Sequence, residues 1–178
     1  NAVNDAPVSS AVSASTNEDT AKTITLSATD VEGSSLTYSV VATNDGSVSI
    51  SGATATYTPD ANWNGTDTFT YKANDGTVDS NTSTITVTVT AVNDAPTSAD
   101  EGITTNEDTA VRTGFSSSDI EGDALTYSVV TQPSNGTVTI DNTNSEPGLY
   151  TPTANWNGTD TFTYKANDGT VDGNTATV

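Results

Sequence analysis

The 178 residues include no cysteine, no histidine and no methionine, and only 4 lysines and arginines stand against 23 aspartates and glutamates. Without cysteine there is neither a disulfide nor a thiolate nucleophile, and without histidine there is no imidazole base or ligand. Any metal site in this chain must therefore be built from oxygen. The formal net charge of -19 repels phosphate backbones and anionic bilayers, which excludes nucleic acid as a partner. The cations Lys22, Lys72, Arg112 and Lys165 are too scattered to form an anion site. No apolar run approaches the ~18 residues of a membrane-spanning helix, so no membrane insertion is expected. Stretches with a 3.6-residue period are also missing, which argues against helices.

What the chain has is repetition. The 19 residues from Ala61 to Asp79 return letter for letter as Ala154 to Asp172. Asn4-Asp5-Ala6-Pro7 returns as Asn93-Asp94-Ala95-Pro96, and Asn17-Glu18-Asp19-Thr20 as Asn106-Glu107-Asp108-Thr109, both at an offset of 89. Tyr57-Thr58-Pro59 returns as Tyr150-Thr151-Pro152 at an offset of 93. The second copy thus carries extra residues around Asp141 to Gly148, a polar stretch that reads as a longer loop. The period suits independently folded beads, residues 1–92 and 93–178, more than a solenoid. The few residues between Thr90 and Pro96 leave little free linker, so the beads are expected to meet end to end.

Within each copy the apolar residues alternate with polar ones. Phe69, Tyr71 and Ala73 are separated by Thr70 and Lys72, and Ile85, Val87 and Val89 by Thr86 and Thr88, the pattern of half-buried antiparallel strands. Further strands are expected over Val8 to Ser15, Thr23 to Ala28, Leu36 to Val40, Ser47 to Ser51 and Ala53 to Thr58. Turn signals divide them at Asn44-Asp45-Gly46, Ser51-Gly52 and Asn74-Asp75-Gly76. About seven short strands per copy predict an all-β chain of two tandem Greek-key β-sandwiches of immunoglobulin or cadherin type. Val178 is the counterpart of Ile85, so the second copy is expected to be incomplete in its last strand. The chain reads as a piece of a longer protein, and an open edge there is expected to weaken the second bead or to recruit a partner strand.

Acidic residues gather where the strands end. Glu18 and Asp19 follow the first strand, Asp30 and Glu32 the second, Asp67 opens a strand, Asp75 closes it, and Asn93 with Asp94 joins the copies. Two carboxylates about 5 Å apart repel by roughly 3 kcal/mol at an effective dielectric near 20. A fold that collects several at one end needs a cation between them, and an all-oxygen, flexible ligand set favours Ca2+. The alternative is that these acids only solvate turns, where Asn-Asp-Gly and Asp-x-Glu-Gly are ordinary chemistry.

The order of these motifs carries a resemblance. Ala73-Asn74-Asp75-Gly76 followed by a Thr/Val alternation and Asn93-Asp94-Ala95-Pro96 is similar to the end of a cadherin repeat, and Asp30-x-Glu32-Gly33 with Leu36-Thr37-Tyr38-Ser39 resembles its D-x-D-x-G and L-x-Y-S pair. The chain resembles most the bacterial cadherin-like tandem repeats of large secreted RTX-type adhesins. It departs from the cadherin pattern in having NDAP as linker, Glu at the second acidic position, and no clean L-D-R-E motif, for which Asp67 and Asp160 are the substitutes. The resemblance implies a Ca2+ cluster from Glu18, Asp67, Asn93, Asp94, Asp119, Glu121 and Asp168. It implies half-clusters from Asn4, Asp5, Asp30, Glu32 and Asp75 at one outer end and from Glu107 and Asp160 at the other. It further implies a non-enzymatic, secreted or bacterial surface protein, a calcium-rigidified extender of an adhesin whose partners are calcium and neighbouring repeats.

Two other function classes stay open on the sequence. Trp63 and Trp156, each in Asn-Trp-Asn-Gly, would either plug the end of the sandwich or stack on a sugar in a calcium-dependent carbohydrate-binding module for polysaccharide. Beads could also adhere homotypically to another copy of the chain. A two-carboxylate glycosidase is disfavoured, because no insertion is large enough to build a cleft and the same acids occur twice.

Overall fold

In a computed structural model, which describes residues 3–42 and 45–178, the alternating segments become strands and no helix occurs among the described residues. The chain divides into two compact units, Asn1–Val92 and Asn93–Val178. The first holds β1 (Val8–Ser9), β2 (Val12–Asn17), β3 (Lys22–Thr25), β4 (Ala28–Thr29), β5 (Thr37–Ala42), β6 (Gly46–Ser51), β7 (Thr54–Pro59), β8 (Gly65–Asn74) and β9 (Ser83–Thr90). The second holds β10 (Thr97–Ser98), β11 (Val111–Thr113), β12 (Ser117–Ser118), β13 (Thr126–Thr131), β14 (Gly136–Ile140), β15 (Gly148–Pro152), β16 (Thr163–Asn167) and β17 (Ala176–Thr177). The turn expected at Asn44-Asp45-Gly46 falls partly outside the described residues.

Two expected strands are broken, for one reason. The segment expected over Val8 to Ser15 splits into β1 and β2, and that over Thr23 to Ala28 splits into β3 and β4. At both breaks a carbonyl turns to the buried Tyr71 hydroxyl, which lies 2.7 Å from Ser10 O and 2.7 Å from Ser27 O. The halves then join different sheets. β1 pairs with β4, whereas β2 pairs with β9 and β3 with β7. The Tyr164 hydroxyl repeats the device in the second unit, 2.9 Å from Ala99 O and 3.3 Å from Ser116 O.

The main sheet of the first unit runs β2-β9-β8-β5, and the other runs β3-β7-β6. β9 lies antiparallel to β8, with Phe69 opposite Ile85 and Gly65 opposite Val89, and parallel to β2, from Val12 opposite Ile85 to Asn17 opposite Thr90. Its inward residues Ile85, Val87 and Val89 meet Phe69 and Tyr71 in a core closed from the other sheet by Ile24, Leu26 and Tyr57. Tyr57 and Phe69 stack with centroids 6.1 Å apart. Such apolar burial is the main favourable term in a bead of this size.

The second unit repeats the plan with a repacked core. Ile103, Val111, Phe115, Val129, Ile140 and Val178 pack around Val138, Tyr150 and Phe162. Phe115 stands where the first copy has Leu26, and its ring stacks on Tyr164 with centroids 4.2 Å apart. The larger side chain is matched by a smaller one, because Gly148 replaces the buried Ala55; a Cβ at Gly148 would lie 2.8 Å from both the Phe115 ring and the Thr113 methyl. The longer loop after β14 folds back, so that the Asn142 side chain accepts from Tyr127 N at 2.7 Å and donates to Tyr127 O at 3.2 Å. β17 corresponds in sequence to the first residues of β9.

Gly148→Ala is expected to destabilise the second unit by about 1–3 kcal/mol through overpacking. Phe115→Leu in the same chain should recover at least half of that loss. The measurement is a double-mutant cycle by urea denaturation, and additive effects would contradict the size compensation.

Candidate metal centre

Each unit has one pole where a short Asn-Asp segment, an Asp-x-Glu-Gly turn and an Asn-Asp-Gly turn come together. In the first unit Asn4 Nδ2 donates to Asp75 Oδ2 at 2.8 Å, and Asp5 N donates to Glu32 Oε2 at 3.3 Å. In the second, Asn93 Nδ2 donates to Asp168 Oδ2 at 2.7 Å, and Asp94 N donates to Glu121 Oε2 at 3.4 Å. The two turns need glycine for their backbone. Gly33 and Gly122 have φ of 74° and 80°, with open space where a Cβ would be, so conformation rather than crowding selects them.

The carboxylates at these poles differ in how they are satisfied. Asp75 Oδ1 accepts from Thr77 N at 2.7 Å, Thr77 Oγ1 at 2.8 Å and Val78 N at 2.8 Å. The Asn4 amide and then these backbone donors hold the Asp75 carboxyl well below the usual carboxylate range. Asp168 is held low in the same way, first by Asn93 and then by Val171 N, while Thr170 N also donates to it. Asp30 and Asp119 are only half served. Asp30 Oδ1 accepts from Ser34 N at 2.8 Å and Asp119 Oδ1 from Asp123 N at 3.0 Å, but Oδ2 of each is buried without a partner. An orphaned buried oxygen at the same place in both copies suits a cation ligand.

Glu18, Asp67, Glu107 and Asp160 make other contacts within their own units. Glu18 is 4% exposed, its amide donates to Thr90 O at 3.0 Å, and its carboxylate accepts from Val92 N. Asp67 is 1% exposed and accepts from Asp45 N at 3.1 Å and Thr68 N at 2.6 Å. Burial and then the adjoining Asp67 carboxylate push the Tyr57 hydroxyl up. Asp160 likewise accepts from Ser134 N, Asn135 N and Thr161 N, which makes Asp67 and Asp160 loop-clamping groups inside their units. Glu107 is exposed, unlike its counterpart Glu18. Among the described residues no three acidic side chains are gathered closely enough to hold a metal ion. The carboxylates of Asp30, Glu32 and Asp75, and those of Asp119, Glu121 and Asp168, therefore share a pole without converging.

Sequence reasoning passed over two features. Asp19 Oδ1 accepts from Asn62 N at 3.0 Å and Asp108 Oδ1 from Asn155 N at 2.8 Å, and all four residues have positive φ near 55–58°. The repeat of Asn-Glu-Asp and Asn-Trp-Asn at matching places was the available signal. Glu101 occupies the inward position of Val12, with Oε1 buried and unpartnered, and desolvation raises its carboxyl. Trp63 is half-buried and packs against the first core, and its ring lies 3.1 Å from the point where a Cβ on Gly65 would stand.

The fold and its repeated turns define a pair of immunoglobulin-like β-sandwiches in tandem. The chain belongs to the bacterial Ig domain family, whose sequence profile matches residues 4–88 and again 93–178. No curated protein matches the chain by sequence. Among solved structures it is similar to the first two extracellular cadherin domains of human protocadherin-24, at 17% identity and a TM-score of 0.57 over 94% of this chain and 90% of that one. Another structure of the same domains gives 16% identity and a TM-score of 0.51 over 99% of this chain and 94% of that one. These likenesses concern the fold. An endo-fucoidan hydrolase from glycoside hydrolase family 107 aligns at 23% identity with a TM-score of 0.42, over 97% of this chain, which spans only 28% of that enzyme's length.

A carboxyl held low stabilises the fold only while ionised. The contribution of Asp168 is complete above its ordinary 3.8 and is lost as pH falls through the lower folded value. Asn93→Ala removes the largest cause, so the Asp168 carboxyl should titrate closer to its ordinary value. Carboxyl-detected NMR titration checks this, and an unmoved Asp168 would mean that the Thr170 and Val171 amides suffice.

Proposed function

We propose that the chain is a non-catalytic, calcium-rigidified spacer segment of a bacterial surface adhesin. The observation that supports this most directly is the pair of orphaned carboxylate oxygens, Asp30 Oδ2 and Asp119 Oδ2, at the same place in both copies. The family and the cadherin-like fold support an adhesive or extending role. No helix among the described residues is long and apolar enough to cross a membrane.

The ligands in this reading are Asp5, Asp30, Glu32 and Asp75 with Asn4 in the first bead, and Asn93, Asp94, Asp119, Glu121 and Asp168 in the second. Glu18 and Asp67 join the second group in the proposed set, and Glu107 with Asp160 form a separate half-cluster. Bound calcium supplies positive charge that offsets the repulsion between these carboxylates. The chain's own residues do the rest. Gly33 and Gly122 turn the backbone, Asn4 and Asn93 fix one oxygen of Asp75 and Asp168, and Asp94 sits in the short link between the beads, where a ligand restrains bending. A sugar-stacking role for Trp63 lacks comparable support, because its ring packs on the core.

Calcium binding to the native state raises stability by RT ln(1 + [Ca]/Kd), ~2.7 kcal/mol at one hundred times Kd. Melting in EDTA and in several millimolar Ca2+ should therefore differ by several degrees. Asp30→Asn with Asp119→Asn should remove most of the difference, and equal melting of the parent in both buffers would sink the proposal.

Asp94→Ala is expected to change stiffness far more than bead stability. Small-angle scattering in Ca2+ should give a broadened distance distribution for the variant and an extended one for the parent. Identical curves would leave calcium without a mechanical role.

A further inference from the structure

Four Asn-x-Ser/Thr tripeptides occur in the chain, at Asn64-Gly65-Thr66, Asn81-Thr82-Ser83, Asn135-Gly136-Thr137 and Asn157-Gly158-Thr159. Such a tripeptide is the acceptor signal for attachment of a sugar to the asparagine amide, provided that the amide and the hydroxyl two residues on can both be reached. The fold sorts the four.

At Asn81 both groups are already in use. Asn81 Nδ2 donates to Ser9 O at 3.1 Å and to Ser83 Oγ at 3.0 Å, and its Oδ1 accepts from Ser9 N at 2.9 Å. Ser83 is 7% exposed, and its hydroxyl also accepts from Ser9 Oγ at 2.8 Å. The counterpart Asn174 makes the same pair of bonds to Ser98, at 2.7 and 2.8 Å, although Ala176 stands where a hydroxyl would be needed. Asn81 therefore serves to hold β1. Asn135 is half-buried, and its backbone is tied on both sides, with N donating to Asp160 Oδ2 at 2.9 Å and O accepting from Thr153 N at 2.9 Å.

Asn64 and Asn157 stand apart. Both asparagines, and Thr66 and Thr159 two residues on, are exposed. Neither side-chain amide forms a hydrogen bond among the described residues, so substitution of its nitrogen costs the bead no internal bond. The structural demands of this turn fall on the neighbours instead. Asn62 N is held by Asp19 Oδ1 at 3.0 Å, Gly65 has a φ of 144° with the Trp63 ring 3.1 Å from where its Cβ would stand, and Thr66 pairs opposite Thr88. In the second unit Asn155 N is held by Asp108 Oδ1 at 2.8 Å, and Gly158 has a φ of 143° with the Trp156 ring 3.2 Å from its Cβ position.

We propose that Asn64 and Asn157 are acceptor sites for asparagine-linked glycosylation, each taking a hexose from a nucleoside-diphosphate sugar. The asparagine Nδ2 forms a bond to the anomeric carbon as the bond from that carbon to the diphosphate oxygen breaks. The electron pair of the broken bond leaves with the nucleoside diphosphate, one amide proton passes to a base of the glycosyltransferase, and nothing is oxidised or reduced. Both sites fall in the same turn of their beads, so the sugars recur once per repeat and set neutral, hydrated bulk on an acidic surface. The proposal does not depend on calcium.

The test compares the folded chain with its own peptides. An Asn-x-Ser/Thr-specific glycosyltransferase that labels synthetic peptides of residues 61–69 and 78–86 from UDP-glucose is given the full chain under native conditions, and occupancy is read by peptide mass spectrometry. Asn64 and Asn157 should each gain one hexose, and Asn81 should gain none although its peptide is labelled. Thr66→Val should abolish labelling of Asn64 without shifting the melting of the chain, and Thr66→Ser should retain it. Protein isolated from its source bacterium should carry hexose on the peptides that span Asn64 and Asn157. An unmodified Asn64 in that protein, an unlabelled Asn64 in the folded chain, or labelling of Asn81 equal to that of Asn64 each overturn the proposal.

Discussion

The insertion of β9 between β2 and β8 is the constraint on which the first bead rests. It supplies Ile85, Val87 and Val89 to the core, joins a strand from the start of the bead to one from its end, and brings Thr90 and Val92 against Glu18. The burial of a carboxylate at Glu18 follows from that placement, because the Val92 amide gives the charge a donor that desolvation would otherwise deny it. Glu107 has the same sequence context as Glu18 but is exposed.

The Tyr71 hydroxyl is the second organising element. By drawing the carbonyls of Ser10 and Ser27 it lets two strands break, so that β1 and β4 pair with each other while β2 and β3 stay in the two larger sheets and the polar breaks are hydrogen-bonded. Buried polar groups usually carry a cost, and here a single phenol serves two strand breaks. The same geometry around Tyr164 persists although the neighbouring core is repacked from Leu26 and Ala55 to Phe115 and Gly148, which locates the structural requirement in the hydroxyl rather than in the surrounding side chains.

Much of the fold was legible because strand alternation is a local signal. Phe69, Tyr71, Ile85 and Val87 announce their burial in a period of two, and the repeated Asn-Asp-Ala-Pro marks where one bead gives way to the next. The breaks in the first two strands were not legible, since they depend on a hydroxyl more than forty residues away. The Asp-x-Glu-Gly and Asn-Asp-Gly turns could be read as acidic poles, and the structure brings Asn4 to Asp75 and Asn93 to Asp168. The different situation of Asp67 and Asp160 could not be read. Their sequence says only that an acid opens a strand, and the loop amides that occupy them come from positions more than twenty residues away.

The parallel pairing of β2 with β9 bears on how a bead responds to load. The two strands point the same way, one near the start of the bead and the other at its end, and six residue pairs face each other along them. A pull applied through the chain draws them in opposite directions along their shared axis. Their hydrogen bonds are then strained together in shear instead of opening one after another like a zipper. Rupture requires the whole row to fail at once, which makes the bead a stiff link that resists extension until it yields abruptly.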